Sequence, residues 1–426
     1  MHNIHCNGIG QIFSENLSQN QRFCGETELF RLTYSIILKI IRLVNSIQKE
    51  YNAKWRDKNG GPTMDNARKF SVQHTRLAKG IAIIMMVYHH LFVLPERLNN
   101  EYISVLGFNG FNLEALLATF SKLCVGIFLF LSGIGLFYSL QKETNILKMY
   151  RKVLKKLLTF MINYWIIAII VFPIGVIRGF FEFDIQTVIG VLSGRYYPVM
   201  EWWFVCQYVV LLLISPLFIS LFQRSGILKK IIVVLMISLI YIAVKIGNLY
   251  LSDVDFLGFI FAYLSYVYNE SCVVIFVLGI ICARFSVFRF FVFKRNWLTF
   301  FINFIVLLAV FTARSVFVKA AASMELDFIF APLFVFSFTA LLNRTRVAKK
   351  VLDFFATHST NIWLTHTFWC YYLGQEIVLL PKYSTLIFLW TLILSVVSSV
   401  IVNIIYFLVM KLFFKAKVTV LSEGLF

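Results

Sequence analysis

RLAKGIAIIMMVYHHLF, residues 76–92, is an apolar run broken by Arg76, by Lys79 and by two adjacent histidines, His89 and His90. Its length and composition suit a membrane-spanning helix, where a charged or titratable side chain is costly enough to mark a functional position. At 3.6 residues per turn, the eleven positions from Lys79 to His90 make three turns plus about 20°, so both side chains project from one stripe, about 16 Å apart along the axis. His89 points about 100° away. A cation at the mouth and a base deeper inside suit a long ligand with an anionic head and a reactive far end. A plainer arrangement uses the same residues: Lys79 snorkels to the surface and His90 hydrogen-bonds a neighbouring helix.

Outward from this helix the chain keeps the same character. Of its 426 residues 59% are hydrophobic and 14% charged, with a mean hydropathy of +0.79, whereas soluble domains hold roughly 45–50% apolar residues. Long apolar runs, in place of the ~10-residue alternation of outer-membrane strands, exclude a barrel. The expected fold is all-α, a polytopic bundle of about ten transmembrane helices. Their approximate positions are 77–95, 120–140, 157–177, 202–222, 229–247, 269–285, 297–314, 326–342, 360–378 and 384–410. The stretch 255–268 is apolar but short, and suits an interfacial or re-entrant piece.

The formal net charge of +19 points to topology, not to nucleic acid, because basic residues gather in cytoplasmic loops of polytopic proteins. Lys142, Lys148, Arg151, Lys152, Lys155 and Lys156 fall in one such loop, and Arg344, Arg346, Lys349 and Lys350 in another. Intervening loops are poorer in basic residues, with Arg97, Lys122 and Lys382 among them. Both termini are therefore expected in the cytoplasm, and the chain in the cell's inner or plasma membrane among membrane lipids. Three regions follow: an N-terminal cytoplasmic segment 1–75, a membrane domain 76–415 and a short cytoplasmic tail 416–426. Within the first, Leu29–Ile47 has the spacing of a surface-lying helix, unless translation starts at Met64. Seven cysteines occur, mostly inside apolar runs and without CxxC spacing, so neither a disulfide framework nor a metal site is indicated. The histidines lack HxxxH spacing and a carboxylate partner, so no metal is expected. Arg314 and Glu376, near helix ends, are read as snorkelling.

Four stretches, in order, resemble the acyltransferase-3 family of integral membrane acyltransferases. LAKGIAIIMMVYHH (77–90) is similar to its opening helix, with a basic residue, ten intervening residues and a histidine, here Lys79 and His90. VGIFLFLSGIGLFYS (125–139) matches a phenylalanine-rich stretch with Ser-Gly, here Ser132 and Gly133. EWWFVCQYVVLLLISPLF (201–218) resembles a Trp-Phe segment ending in Pro, here Trp203, Phe204 and Pro216. HSTNIWLTHTFW (358–369) looks like a late segment of Ser, aromatic and His, here Ser359, Trp363 and His366. The resemblance covers about Leu77 to Phe414. Its departures are a lysine where Arg is commoner, which removes the planar fork for bidentate phosphate contact, and a second histidine at 89.

The resemblance implies O-acyl transfer, most often of acetyl, from acetyl-CoA or another cytoplasmic acyl-CoA to a hydroxyl of a cell-surface glycan or lipid-linked sugar. His90 is then the catalytic base, since histidine exchanges protons near neutral pH. Lys79, with Arg151 and Lys155, is expected at the donor phosphates, and His366 in a second role at the donor end. Trp203, Trp363 and Ser132 are expected substrate contacts, although Trp202, Trp203, Trp363 and Trp369 also fit an interfacial aromatic belt. The competing reading is a glycan or lipid-linked sugar transporter or flippase that uses the intramembrane His and Lys as a proton relay. Such proteins are often built from internal repeats, and none is found here.

Overall fold

A computed structural model describes residues 70–414 except 99–100, 109–110, 195–198, 225–269, 291–296, 318–323, 325 and 343–344. The chain divides into two units, Met1–Ala67 and Arg68–Phe426, and every described residue belongs to the second. The expected surface helix at 29–47, the span at 229–247, the stretch 255–268 and the tail 416–426 lie outside the described residues.

The first helix, α1 (Val72–Phe92), begins at Ser71, whose hydroxyl accepts the His74 backbone N–H while the His74 ring accepts the Ser71 N–H. A histidine thus closes the capping box in which Glu or Gln is usual. A 3₁₀ turn at Pro95–Leu98 and a small antiparallel ribbon, β1 (Gly107–Phe108) with β2 (Phe111–Asn112), lead into α2 (Leu113–Ser121) and α3 (Leu123–Leu140). Next come α4 (Ile146–Ile177), α5 (Ile185–Ser193) and α6 (Trp203–Arg224). After the undescribed stretch follow α7 (Glu270–Phe285), α8 (Trp297–Phe317), α9 (Asp327–Leu342) and α10 (Arg346–Thr367). A π turn at Phe368–Tyr372, the short α11 (Gln375–Leu379) and α12 (Ser384–Phe414) complete the described chain.

This is an all-α membrane fold, with the two-residue strands as its only sheet among the described residues. Five of the described stretches are long and apolar enough to cross a membrane: Leu113–Leu140, Ile146–Ile177, Met200–Gln223, Trp297–Val316 and Ser384–Leu412. Leu386, Leu389, Ile393, Val397, Ile401, Ile404 and Leu408 are exposed at helical spacing along α12, a face that suits lipid, whereas Thr391, Ser395 and Ser399 are buried on the other. The helices α1 and α10 are more polar, and they pack against each other over much of their length. Gly80 permits this: a Cβ there would fall 2.1 Å from the Leu352 carbonyl oxygen. Glycines also join α3 to α7, since a Cβ at Gly133 would lie 2.0 Å from the Phe276 oxygen and one at Gly279 2.2 Å from the Phe130 oxygen. Small residues let membrane helices approach closely where no hydrophobic drive brings them together.

Helices α4 and α10 both begin earlier than hydropathy predicts, at Ile146 and Arg346, because their first turns are amphipathic and basic. Lys148 to Lys156 therefore lie on a helix and not in a loop. Among them, Lys152 pairs with the preceding Glu143 at 2.5 Å and holds that half-buried carboxyl below its ordinary range. Polar side chains tie the helices together. The Asn163 amide donates to Asn361 Oδ1 at 2.6 Å and the Asn361 amide to Asn403 Oδ1 at 2.8 Å, joining α4, α10 and α12. Such bonds average about 0.6 kcal/mol each in membrane proteins. Arg314 does not snorkel as expected. It is 1% exposed and donates to both oxygens of Asp327, at 2.8 and 3.2 Å, and to the Thr119 carbonyl at 2.8 Å, because the carboxylate at the start of α9 offers a charged partner inside the bundle.

Candidate active site

His90 sits two residues from the end of α1, next to a narrow open cleft that it lines together with His89, Lys122, Glu201, Trp203 and Trp363. The π turn after α10 is what completes its surroundings, since the wider backbone loop directs Tyr371 and Tyr372 back toward α1 and Glu201. The Tyr371 hydroxyl donates to the His90 carbonyl and stands 3.4 Å from His90 Nδ1. A hydroxyl has one proton to give. With that proton on the carbonyl, the tyrosine oxygen is an acceptor for Nδ1–H, which leaves His90 Nε2 as the basic nitrogen.

The His366 ring lies 5.0 Å from the His90 ring. Its Nδ1 is 2.9 Å from both the Ile362 and the Trp363 carbonyls. Carbonyls only accept, so Nδ1 carries the hydrogen, and Nε2, buried and without a hydrogen-bond partner among the described residues, offers a lone pair. The expectation for His366 was the donor end. Structurally it belongs beside His90, because α10 begins at Arg346 and brings residue 366 level with the far end of α1. His89 is committed elsewhere: its Nδ1 donates to the Ala118 carbonyl of α2 at 2.8 Å.

Lys79 lies two turns inside α1, not at its mouth, and is 5% exposed. Arg76 and Lys156 are near enough for their charges to act on it. Arg76 is paired with Asp353 and donates to Thr357 Oγ at 2.7 Å. The α4 face turned toward Lys79 is thus that of Lys156, whereas Arg151 and Lys155 are exposed. Ser132 is fully buried, donates to the Phe128 carbonyl at 2.7 Å and stays outside the cavity lining. Its neighbour Gly133 serves helix packing.

Of the tryptophans, Trp203 and Trp363 reach the cavity; Trp363 also stacks on Phe160 at 6.0 Å. Trp202 belongs to neither a belt nor a ligand site: it is 2% exposed and its indole N–H donates to the Leu364 carbonyl at 3.1 Å. Three residues at the cavity escape sequence reasoning. Glu201 accepts from Arg97 at 2.9 Å and from the Tyr372 hydroxyl at 2.8 Å. Lys122 stands at the joint of α2 and α3 with its ammonium 5.7 Å from the Trp203 ring centre. Tyr371 completes them. The acid directly before WWF was the available signal for Glu201; Lys122 and Tyr371 carried none. Among the described residues no three His, Cys, Asp or Glu side chains gather as a metal site would require.

A histidine whose Nδ1 faces a tyrosine hydroxyl, a second imidazole beside it and an aromatic-walled cleft are the parts needed to activate a hydroxyl for attack on an acyl carbon. No match is found among curated proteins or among solved structures. The family model described as an acyltransferase domain, acyltransferase-3, matches residues 76–408, about where the four ordered motifs lie, so this chain belongs to the acyltransferase-3 family and is a membrane acyltransferase.

Proposed function

We propose that the protein transfers an acyl group, most often acetyl, from a cytoplasmic acyl-CoA to a hydroxyl of a cell-surface glycan or lipid-linked sugar, in the inner or plasma membrane with both termini in the cytoplasm. The observation that carries this reading is the histidine pair: His90 lines the cavity, and His366 stands 5.0 Å from it with its Nδ1 hydrogen already engaged. Lys79, about 16 Å further down α1, and Lys156 of α4 beside it supply positive charge where the donor phosphates would sit, with Arg151 and Lys155 on the exposed side of the same turns of α4.

In the proposed reaction His90 Nε2 takes the proton of the acceptor hydroxyl as its oxygen attacks the thioester carbonyl. The C–O bond forms, the C–S bond breaks, and the proton held by His90 passes to the departing thiolate, giving an ester and free CoA thiol. While His90 is charged, the Tyr371 oxygen accepts its Nδ1–H. Trp203 and Trp363 present flat faces to a sugar ring. Mass spectrometry of surface glycans from cells with and without the protein tests this reading. A gain of one acyl mass supports it. Glycans of unchanged mass but altered export contradict it and favour a transporter.

A further inference from the structure

Lys122 plays no part in the mechanism above, yet it lines the cavity together with His90 and its ammonium stands by the lining Trp203. Among the described residues it has no ion-pair partner. The acids nearby are already engaged: both Glu201 oxygens are taken, by Arg97 and Tyr372, and both Asp327 oxygens by Arg314. Contact with the Trp203 ring, 5.7 Å away, attracts the cation but leaves its charge in place. A partly buried cation without a counter-ion is unfavourable, and a bound anion relieves it. The anion would lie over the same aromatic wall that fits a sugar ring.

Building on the acyl-transfer reading, we propose that the acceptor is an anionic sugar, whose carboxylate or phosphate pairs with Lys122 while its ring lies against Trp203 and a hydroxyl faces His90. Arg97 is held by Glu201 and lies over the Tyr371 ring, which leaves Lys122, the one Lys or Arg in the cavity lining among the described residues, as the cation that reads the charge.

Binding is measured without acyl donor, by saturation-transfer NMR on the full chain in nanodiscs. The probes are methyl β-D-glucuronide, glucose 6-phosphate and the neutral methyl β-D-glucoside. At least one anionic probe is expected to bind about tenfold or more tightly than the glucoside, a ratio typical of one charge-assisted contact, and which of them does so identifies the charged group. Lys122→Gln should bring the anionic probes to the level of the neutral one, and Lys122→Arg should keep most of the preference; the arginine variant guards against a folding defect in the first. Equal binding of all three probes, no binding of either anionic probe, or an unchanged preference in Lys122→Gln overturns the proposal. Because no donor is present, an anion preference that depends on Lys122 stands even if acyl transfer is not found, so the two readings fail separately.

Discussion

Neighbouring histidines in α1 have different work because of what their ring nitrogens touch. Both line the cavity, but His89 is bound to the Ala118 carbonyl, whereas His90 stands against the Tyr371 hydroxyl and the His366 ring. Replacing His90 by Ala is expected to lower the transfer rate by roughly 10²–10⁴, the usual loss for a general base, while the protein stays folded and loses no more stability than one hydrogen bond, about 0.5–1.5 kcal/mol. His89→Ala should retain most of the rate and lose about 0.5–1.5 kcal/mol of stability with its hydrogen bond; activity assays beside denaturation in detergent separate the two. Lys79→Ala should chiefly raise KM for the acyl donor, because an anchoring contact stabilises ground and transition states alike, and Lys79→Arg should restore it. Steady-state kinetics with varied donor decide. Lys79 and His90 were legible in the sequence because a helical period relates positions on one helix. His366 was legible as a residue but not as a neighbour of His90, since 276 positions separate them and no local rule states which helices touch.

Among the elements, the same limit explains what hydropathy missed. Among the described residues, five of the expected spans coincide with stretches long and apolar enough to cross a membrane and those at 269–285 and 326–342 with shorter apolar helices, but α1 and α10 carry enough polar residues to blur their ends, and those polar residues are the site. Lys122 read as a loop charge because the joint between α2 and α3 leaves no trace in composition, and Arg314 read as snorkelling because Asp327 opens the next helix. The Ser132 and Gly133 pair stood out as a motif, yet its physical reason is the close approach of α3 and α7. The Arg314–Asp327 pair gives an element-scale prediction. Asp327→Ala strands a buried guanidinium and should cost about 3–5 kcal/mol, whereas Arg314→Met combined with Asp327→Leu should be near neutral or stabilising. Thermal unfolding of the three proteins in one detergent measures both. A mild single mutant would mean that the pair does not hold α8, α9 and the Thr119 end of α2 together.

For the whole molecule, the proposed reaction has donor and acceptor approach from opposite ends of α1. That arrangement requires Lys142, in the turn before α4, to lie on the cytoplasmic side and Glu96, just past α1, on the other. Single cysteines at these positions in an otherwise cysteine-free chain should react with an impermeant maleimide from the cytoplasm and from outside, respectively. Reversal of the pair would place the acyl donor and the Lys79 end on different sides of the membrane and end the two-sided scheme. The most direct test reconstitutes the purified full chain in liposomes, supplies acetyl-labelled acetyl-CoA on the Lys79 side and offers a surface-glycan extract on the other. The expected result is label in ester linkage on the glycan, dependent on His90 and released by mild alkali. Label that stays on acetyl-CoA, or that is released only as free acetate at the same rate with and without glycan, would contradict acyl transfer to a sugar hydroxyl as the function of this site.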